Sequence, residues 1–445
     1  MKKTAAICTL FSVILMILSC AGPKTGADAD VSFADKEIES AINDLKKQIK
    51  KNPNNMEYRR QLADIYENNG EMLEALKVLE TAMIADPYDM ETKYQYAETA
   101  LRTGDQLKAY QAYKEVLQSS DGQNYLSRIA TKFVDTFETI KIVGTSADEA
   151  FGRFSKDGSK IIYQSNQNGN WDIFEYDVVN EMTRQLTNTP HHEENPAYSP
   201  DGRKMVYTST VEDHRDVDYD QKLRDIFVMD LESKRETNLT TNGSNDWRPG
   251  YSYDGKFIVF VSERNDLRKV PFYELFSDIF IMEHDGRFQL RLTDTDSRCG
   301  SPCIAPGSTA ESGIIFFDSD LSGNYEIYRM DFKGQNRRRI TFAPGSNQVS
   351  PSVSPNGDKI AFFSDRDGNY ELYMMNSDGS AQQRLTAHPA DDLNPIFSPD
   401  GNKILFHSNR SGNFDLHLLD LSKVASQPGI YEVVGRIDAA IQQLQ

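Results

Sequence analysis

Short apolar segments separated by polar turns fill the C-terminal two-thirds of the chain. In one stretch, a nearly continuous apolar run at residues 359–363 and an alternating run at 370–374 flank the polar turn 365–369. Runs of about five residues bounded by turn residues are typical of β-strands. The pattern recurs along the chain and predicts an all-β domain over residues 138–423.

A turn of the Ser-Pro-Asp-Gly type opens a strand six times in this domain, once in degraded form. Its copies occupy residues 155–158, 199–202, 252–255, 305–307, 354–357 and 398–401. Successive glycines lie 44, 53, 52, 50 and 44 residues apart. Because a repeat of this length holds four short strands, six copies predict a six-bladed β-propeller. Residues 139–145 read like the outer strand that the sixth unit lacks, so we predict that they complete the last blade and close the ring.

A helical pattern precedes the strands, and we assign residues 35–137 to it. Residues 54–121 repeat with a period of 34, so that Ala63 and Gly70 recur as Ala97 and Gly104. Small residues at these places let two antiparallel helices approach closely. The pattern resembles tetratricopeptide repeats, which have the same period. That resemblance implies a groove for peptides or partner domains, and a purely structural spacer is the alternative.

The two ends of the chain carry their own signals. Residues 1–19 combine a basic start with a short apolar stretch, which predicts an export signal. Residues 17–20 resemble a bacterial lipobox, which implies that Cys20 becomes the lipidated first residue; an ordinary signal peptide is the alternative. Residues 20–34 are small and polar and predict a flexible tether. Residues 424–445 have apolar positions at helical spacing, and we expect this helix to pack against the propeller or the helical module.

The strand repeat also resembles a known family. Ser-Pro-Asp-Gly, followed by Lys-Ile-x-Phe and a Gly-Asn-Tyr-Glu-Leu-Tyr hairpin, is similar to the repeat of TolB-type six-bladed propellers. In that family a peptidoglycan-associated lipoprotein docks at the mouth of the propeller. The helical module and the lipid anchor depart from the family pattern, which has an α/β N-terminal domain and no anchor. The expected fold class is multidomain, α plus all-β: a short α-solenoid of TPR-like helix pairs followed by a six-bladed propeller.

Composition narrows the function. The formal net charge of −18 gives the chain little electrostatic reason to bind nucleic acid. No nucleophile elbow, His-Glu-x-x-His or phosphate-binding loop occurs, so we predict no enzyme activity and no cofactor. Four adjacent residues at 191–194, two histidines and two glutamates, point in different directions along an extended segment, and we predict no metal there.

The candidate contact surface is the mouth of the propeller, where the loops that enter each blade meet. Two neighbouring blades also have enlarged loops on this face, at about residues 211–225 and 263–277. Trp247 next to Arg248 has the composition of an interface anchor, and channel plug or blade packing is the alternative. The predicted partner-binding residues are His192, Glu193, Glu194, Asn245, Asp246, Trp247, Arg248, Arg298, Asn347, Gln348, Asp391 and Asp392.

Cys299 and Cys303 lie four residues apart in what reads as the loop before the fourth blade. In an oxidising compartment they are expected to form a disulfide, and two reduced thiols are the alternative.

These patterns lead to one functional hypothesis. The chain is expected to be a non-catalytic scaffold, anchored by lipidated Cys20 in the bacterial envelope and facing the periplasm, with the outer membrane as the expected site. Its partners would be envelope proteins, such as a peptidoglycan-associated lipoprotein, in a Tol-Pal-like, secretion or motility complex. A receptor for a carbohydrate or peptidoglycan fragment is the alternative, followed by a hydrolase.

Overall fold

The computed structural model of the protein describes residues 28–271, 274–309 and 312–445, and the side chains from residue 37 onward, Gln443 excepted. The predicted signal peptide, Cys20 and the first part of the tether lie outside the described residues. The first helix begins at Asp28, so residues 28–34 are helical and not a tether.

Helices occupy the chain up to residue 130, and one more follows the propeller. None of the described helices is long and apolar enough to cross a membrane. The helices are α1 (Asp28–Lys51), α2 (Met56–Asn68), α3 (Met72–Ala85), α4 (Met90–Arg102), α5 (Gln106–Gln118), α6 (Gly122–Ala130) and α7 (Ile430–Gln443).

The 34-residue repeat corresponds to the helix pairs α2–α3 and α4–α5. Ala63 and Ala97 are both fully buried, as close helix packing requires. Gly70 and Gly104 turn the chain between the helices of each pair with φ of 79° and 82°, a conformation that glycine adopts without strain. The prediction of TPR-like helix pairs is confirmed.

Six four-stranded antiparallel sheets follow, each a blade with its first strand innermost. The strands of blades one to three are β2 (Glu149–Phe154), β3 (Lys160–Ser165), β4 (Asp172–Asp177), β5 (Met182–Gln185); β6 (Glu193–Tyr198), β7 (Lys204–Ser209), β8 (Asp225–Asp230), β9 (Glu236–Asn238); β10 (Asp246–Tyr251), β11 (Phe257–Ser262), β12 (Asp278–Glu283) and β13 (Leu290–Arg291). Those of blades four to six are β14 (Cys299–Ile304), β15 (Ile314–Ser319), β16 (Glu326–Asp331), β17 (Arg338–Arg339); β18 (Gln348–Val353), β19 (Lys359–Ser364), β20 (Glu371–Asn376), β21 (Gln383–Arg384); β22 (Asp392–Phe397), β23 (Lys403–Ser408) and β24 (Asp415–Val424).

The ring closes as predicted. β1 (Phe137–Val143) pairs antiparallel with β24, so the outer strand of the sixth blade comes from the N-terminal side of the first. Thr139 lies opposite Leu419, a partner at the other end of the propeller sequence. The six-bladed fold predicted from the repeat is confirmed.

The repeated turn is held by its own side chains. In the second blade, the Ser199 hydroxyl donates to the Asp201 carboxylate over 2.6 Å and accepts from the backbone N–H of Lys204 over 2.9 Å. Gly202 has φ of 71°, which glycine adopts readily. These contacts explain why serine, aspartate and glycine recur at fixed spacing.

The hydrophobic core lies between the blades. Each apolar cluster draws on two neighbouring blades; one joins Val259 and Ile281 of the third blade to Ile315 and Phe317 of the fourth. The contact between blades is so close that a Cβ added to Gly334 would lie 2.1 Å from the carbonyl oxygen of Leu292 in the preceding blade. Burial between blades, and not within one, therefore holds the ring together.

The chain divides into two compact units, residues 1–112 and 113–445. By this division α6 belongs with the propeller, whereas the sequence grouped it with the helical module. Asp135, just before β1, forms an ion pair with Arg410 of the sixth blade over 2.7 Å. In the C-terminal helix α7, Val433 and Ile437 are fully buried, and Arg436 donates to the Phe133 carbonyl over 3.1 Å. The expected packing of the last helix is thus realised within the second unit.

Candidate functional site

One face of the propeller carries the connections into each blade together with the loops between the second and third strands. Two of these loops are long and lie in adjacent blades: the second-blade loop (residues 210–224) and the third-blade loop (residues 263–277, described except for 272–273). The second-blade loop contains a short 3₁₀ turn at Tyr219–Gln221. We call this side of the propeller the loop face.

The second-blade loop is braced by a charged clamp. Arg215 Nε and Nη2 donate to the two carboxylate oxygens of Asp213 over 2.8 and 2.6 Å. The same carboxylate accepts the backbone N–H of Leu223 over 2.7 Å. These hydrogen bonds, led by that of Arg215, hold the pKa of Asp213 well below its usual range. The carboxylate therefore joins the two ends of the loop.

The third-blade loop repeats this arrangement with the same spacing. Arg268 Nε and Nη2 donate to Asp266 over 3.0 and 2.6 Å, and the backbone N–H of Phe276 donates to Asp266 over 2.7 Å. The guanidinium of Arg268 also lies over the Phe276 ring, 3.6 Å from its centre. The two adjacent loops are thus held in a defined conformation by the same device.

Tyr219 connects the second-blade loop to the inner strand of its own blade. Its hydroxyl donates to Glu194, and Arg224 Nε donates to the other oxygen of that carboxylate over 2.7 Å. The rings of Tyr219 and His192 lie 4.3 Å apart. Burial, and then the charge of Glu194, raise the pKa of Tyr219. With 39% of its surface exposed, Tyr219 presents a fixed aromatic edge on the loop face.

The central channel is narrowed by a bulge in every inner strand. In each blade the register with the second strand shifts at the third residue, which has a left-handed φ between 45° and 56°. Such bulges redirect side chains. The six residues form a ring that we call the channel ring: Phe151, Asn195, Arg248, Ser301, Ser350 and Asn394.

A cavity lies at this ring, lined also by Arg153 and by the residues that follow four of the six bulges, all prolines. Its interior volume is about 20 Å³, within about 400 Å³ of empty space that opens to solvent. Arg248 donates to the Ser301 hydroxyl and lies over the Phe151 ring, 5.3 Å from its centre. Ser350 donates to Asn394 over 2.7 Å. An interior of this size admits a small polar group, and the cavity stays open to solvent.

The family of the propeller follows from comparison with known proteins. A family model described as the TolB β-propeller domain matches residues 344–433, which include the fifth blade and the three inner strands of the sixth. The propeller of this chain is a TolB-type domain.

The chain spans less than half the length of the curated relatives that it matches. A TolB homologue of Chlorobium luteolum is 28% identical over 188 residues, which are 42% of this chain and 37% of that protein. Among solved structures, TolB from Acinetobacter baumannii has a TM-score of 0.43 at 20% identity and covers 71% of this chain and 70% of its own. An oligogalacturonate lyase from Vibrio parahaemolyticus has a TM-score of 0.45 at 16% identity, covering 65% of this chain and 95% of its own.

Within the TolB-type domain, five of the predicted partner-binding residues are buried in the blades: Glu193, Glu194, Asp246, Gln348 and Asp392. Four of them are the first residues of inner strands and bind the second strand or the residues just after it. Gln348, for example, accepts from the Ser364 hydroxyl over 2.7 Å, and Asp246 pairs with Arg264 over 2.9 Å. These side chains brace the blades and do not face a partner.

The residues just before the inner strands join neighbouring blades. Asn347 accepts the backbone N–H of Tyr325 over 3.1 Å, and Asp391 accepts that of Tyr370 over 3.0 Å. His192 and Asn245 accept N–H groups of the preceding blade in the same way, over 3.3 Å in both. Arg298 is exposed on the rim, where its Nε lies 2.9 Å from Asp320.

Trp247 and Arg248 do not form the predicted anchor. The Trp247 ring packs against the core shared by the third and fourth blades, and its buried Nε1 has no hydrogen-bond partner. Arg248 lines the channel instead of the loop face. The bulge at Arg248 directs the side chains of Trp247 and Arg248 to different surroundings. The sequence alone does not reveal this shift in the pairing with the second strand.

The cysteines lie in a strand and not in a loop. Cys299 is the first residue of β14, and Cys303 is the last but one. Both are free thiols. The predicted disulfide is therefore absent from this structure. Burial raises the pKa of Cys303 to about 11.

The cluster at residues 191–194 diverges as the extended backbone requires. Glu193 accepts from the Thr189 hydroxyl over 2.7 Å, whereas Glu194 binds Tyr219 and Arg224. Among the described residues, no group of three or more histidines, cysteines or acidic residues is placed to hold a metal ion.

Sequence reasoning missed Tyr219, the loop clamps and the channel ring. One signal for the ring was present: five of its six residues precede a proline, at Asn195, Arg248, Ser301, Ser350 and Asn394. Proline has no N–H to donate to a neighbouring strand and occurs within sheets mainly at edges and bulges, so its recurrence in inner strands indicates a bulge.

Proposed function

We propose that this protein is a non-catalytic scaffold of the bacterial envelope that binds protein partners on the loop face of its TolB-type propeller. The proposal rests on the paired loops of the second and third blades. Two adjacent insertions held by the same Asp-x-Arg clamp form a prearranged surface, and a prearranged surface loses little conformational entropy on binding.

The exposed groups of this surface suit a protein partner. Tyr219 offers an aromatic edge held by Glu194, and Arg298 offers a charged rim group. Tyrosine and arginine are enriched where proteins contact one another. The similarity to TolB homologues supports a role in the periplasm. The lipid anchor at Cys20 and a partner such as a peptidoglycan-associated lipoprotein belong to the same proposal.

Site-specific photo-crosslinking in cells tests the binding face. A photoreactive amino acid replaces Tyr219 or Arg298 on the loop face, and in a matched control it replaces Arg203, an exposed residue in the turn at the opposite end of the second blade. We expect adducts with one envelope protein, identified by mass spectrometry, from the first two positions and none from the third. Equal adducts from both faces, or none from the loop face, would refute the proposal.

A further inference from the structure

The cavity at the channel ring contains more positive than negative charge. It is lined by Arg153 and Arg248, and the other residues that line it are neutral. This is unexpected in a chain with a formal net charge of −18. His407, which packs 5.3 Å from the channel-ring residue Phe151, adds no charge at neutral pH because burial lowers its pKa to about 3.

The positive charge of Arg153 has less compensation from negative side chains than that of Arg248. The pKa of Arg153 is lowered to about 10, chiefly by burial; Cys303 acts in the opposite direction, Arg248 contributes to the lowering, and no carboxylate of the described residues opposes it. At the matching place in the strands of other blades stand Ala197, Gly250 and Cys303, none of which carries a negative charge at neutral pH. Buried charges in proteins are ordinarily paired, because an unpaired ion loses its hydration without compensation.

Arg248 is only partly compensated. Burial lowers its pKa, and Asp318 is the carboxylate that opposes this effect. Asp318 is itself buried and accepts the backbone N–H of Ser350 over 2.9 Å. It also sits in the second strand of its blade, behind the channel wall, so it does not bridge the two arginines. Two guanidinium groups against one carboxylate leave a single positive charge at the ring.

We propose that the channel ring binds a carboxylate group between Arg153 and Arg248. A carboxylate carries the one negative charge that the ring lacks, whereas a phosphate at neutral pH carries more. Its two oxygens match the fork of a guanidinium.

The carboxylate has two possible sources. It is either a free small anion or the terminal carboxylate of a peptide segment that enters the channel mouth. Both make the same contacts with the arginines, and the site does not depend on the protein-binding role proposed above.

Calorimetric titration of the full chain in detergent tests the site. Sodium acetate, sodium chloride and inorganic phosphate are compared at constant ionic strength. We expect saturable binding of acetate, weakened at least about tenfold in Arg153→Met and in Arg248→Met, because each loses a charge-assisted hydrogen bond. The control Arg338→Met removes the same charge from the exposed outer strand β17 and should bind acetate like the wild type.

Thermal unfolding separates binding from folding. Without acetate, Arg153→Met should melt at or above the wild-type temperature, because it removes a partly buried charge that no carboxylate compensates. Acetate should raise the midpoint of the wild type and leave that of Arg153→Met unchanged. The absence of saturable acetate binding, phosphate or chloride binding as tight as acetate, or unaltered acetate binding by both variants would overturn the proposal.

Triglycine with a free C-terminus and triglycine amide distinguish the two sources. Tighter binding of the free peptide than of acetate, lost on amidation, would assign the site to a peptide terminus. Equal binding of the peptide and acetate would assign it to a free small carboxylate.

Discussion

At the scale of single residues, many acidic side chains of this propeller belong to its interior. Glu193 begins an inner strand, where it accepts from the Thr189 hydroxyl over 2.7 Å and the Ser209 hydroxyl over 3.3 Å. Its second carboxylate oxygen is buried without a partner. Burial raises its pKa to about 7. Such residues contribute to the formal charge without forming an acidic surface.

The raised pKa of Glu193 predicts a dependence of stability on pH. The unfolded carboxyl has a pKa of about 4.3, so the folded state holds its proton more tightly, and this stabilisation is lost as the pH rises towards 7. Glu193→Gln cannot ionise. We expect its free energy of unfolding to exceed that of the wild type by about 1–3 kcal/mol at pH 8, with little difference at pH 4.5.

Chemical denaturation at the two pH values measures this effect. Glu232→Gln is the matched control, since Glu232 is exposed in the turn between β8 and β9. A Glu193→Gln variant that is less stable than the wild type at pH 8 would show that the ionised carboxylate is required.

At the scale of elements, the inserted loops depend on local clamps and not on packing. Asp213 binds Arg215 and the backbone of Leu223, and the residues between them are mostly exposed. The sequence indicated two insertions but not their common conformation. The shared spacing of aspartate, arginine and the receiving N–H becomes evident only when the hydrogen bonds are known.

Asp213→Asn tests the clamp. Asparagine loses the charge and one acceptor oxygen, so we expect the amides of residues 214–223 to exchange with deuterium about tenfold faster. The thermal midpoint should change little, because the loop adds little to the core. Asp218→Asn makes the same change at an exposed position of the same loop and should leave exchange unaltered. Equal exchange in both variants would contradict the clamp.

At the scale of the whole molecule, the ring depends on a strand from the other end of the propeller sequence. β1 gives the sixth blade its outer strand, and Thr139 lies opposite Leu419. Closure removes the free edge that the last blade would otherwise expose. A substitution that disrupts β1 should therefore destabilise the whole ring and not only the sixth blade.

Proline substitutions in two outer strands compare the stability lost with and without opening of the ring. Thr237→Pro disrupts β9, an outer strand that plays no part in closure, and should cost about 1 kcal/mol for the lost ladder hydrogen bond. Thr139→Pro disrupts β1 and should lower the free energy of unfolding by more, because it also opens the ring. Denaturant unfolding measures the free energy of unfolding of both variants. Equal decreases in the two variants would mean that ring closure adds nothing to stability.

The sequence by itself determined the order of the domains, the helix pairs, the number of blades and the closing strand. These features repeat, and each repeat carries its own local signals: the Ser-x-Asp-Gly turn holds itself together, and Gly70 and Gly104 mark their turns. Information of this kind is contained within a few residues, so it can be read without the fold.

Only the tertiary structure decided which side chains meet. Arg153 and Arg248 occupy different positions of the repeat, in the first and third blades, and come together because the ring closes and the bulges turn their strands. The same geometry buries Glu193 and Asp392, which the sequence placed on a loop surface. Whether a polar residue faces a partner, a channel or its own blade depends on register and closure, and neither is a property of a short segment of sequence.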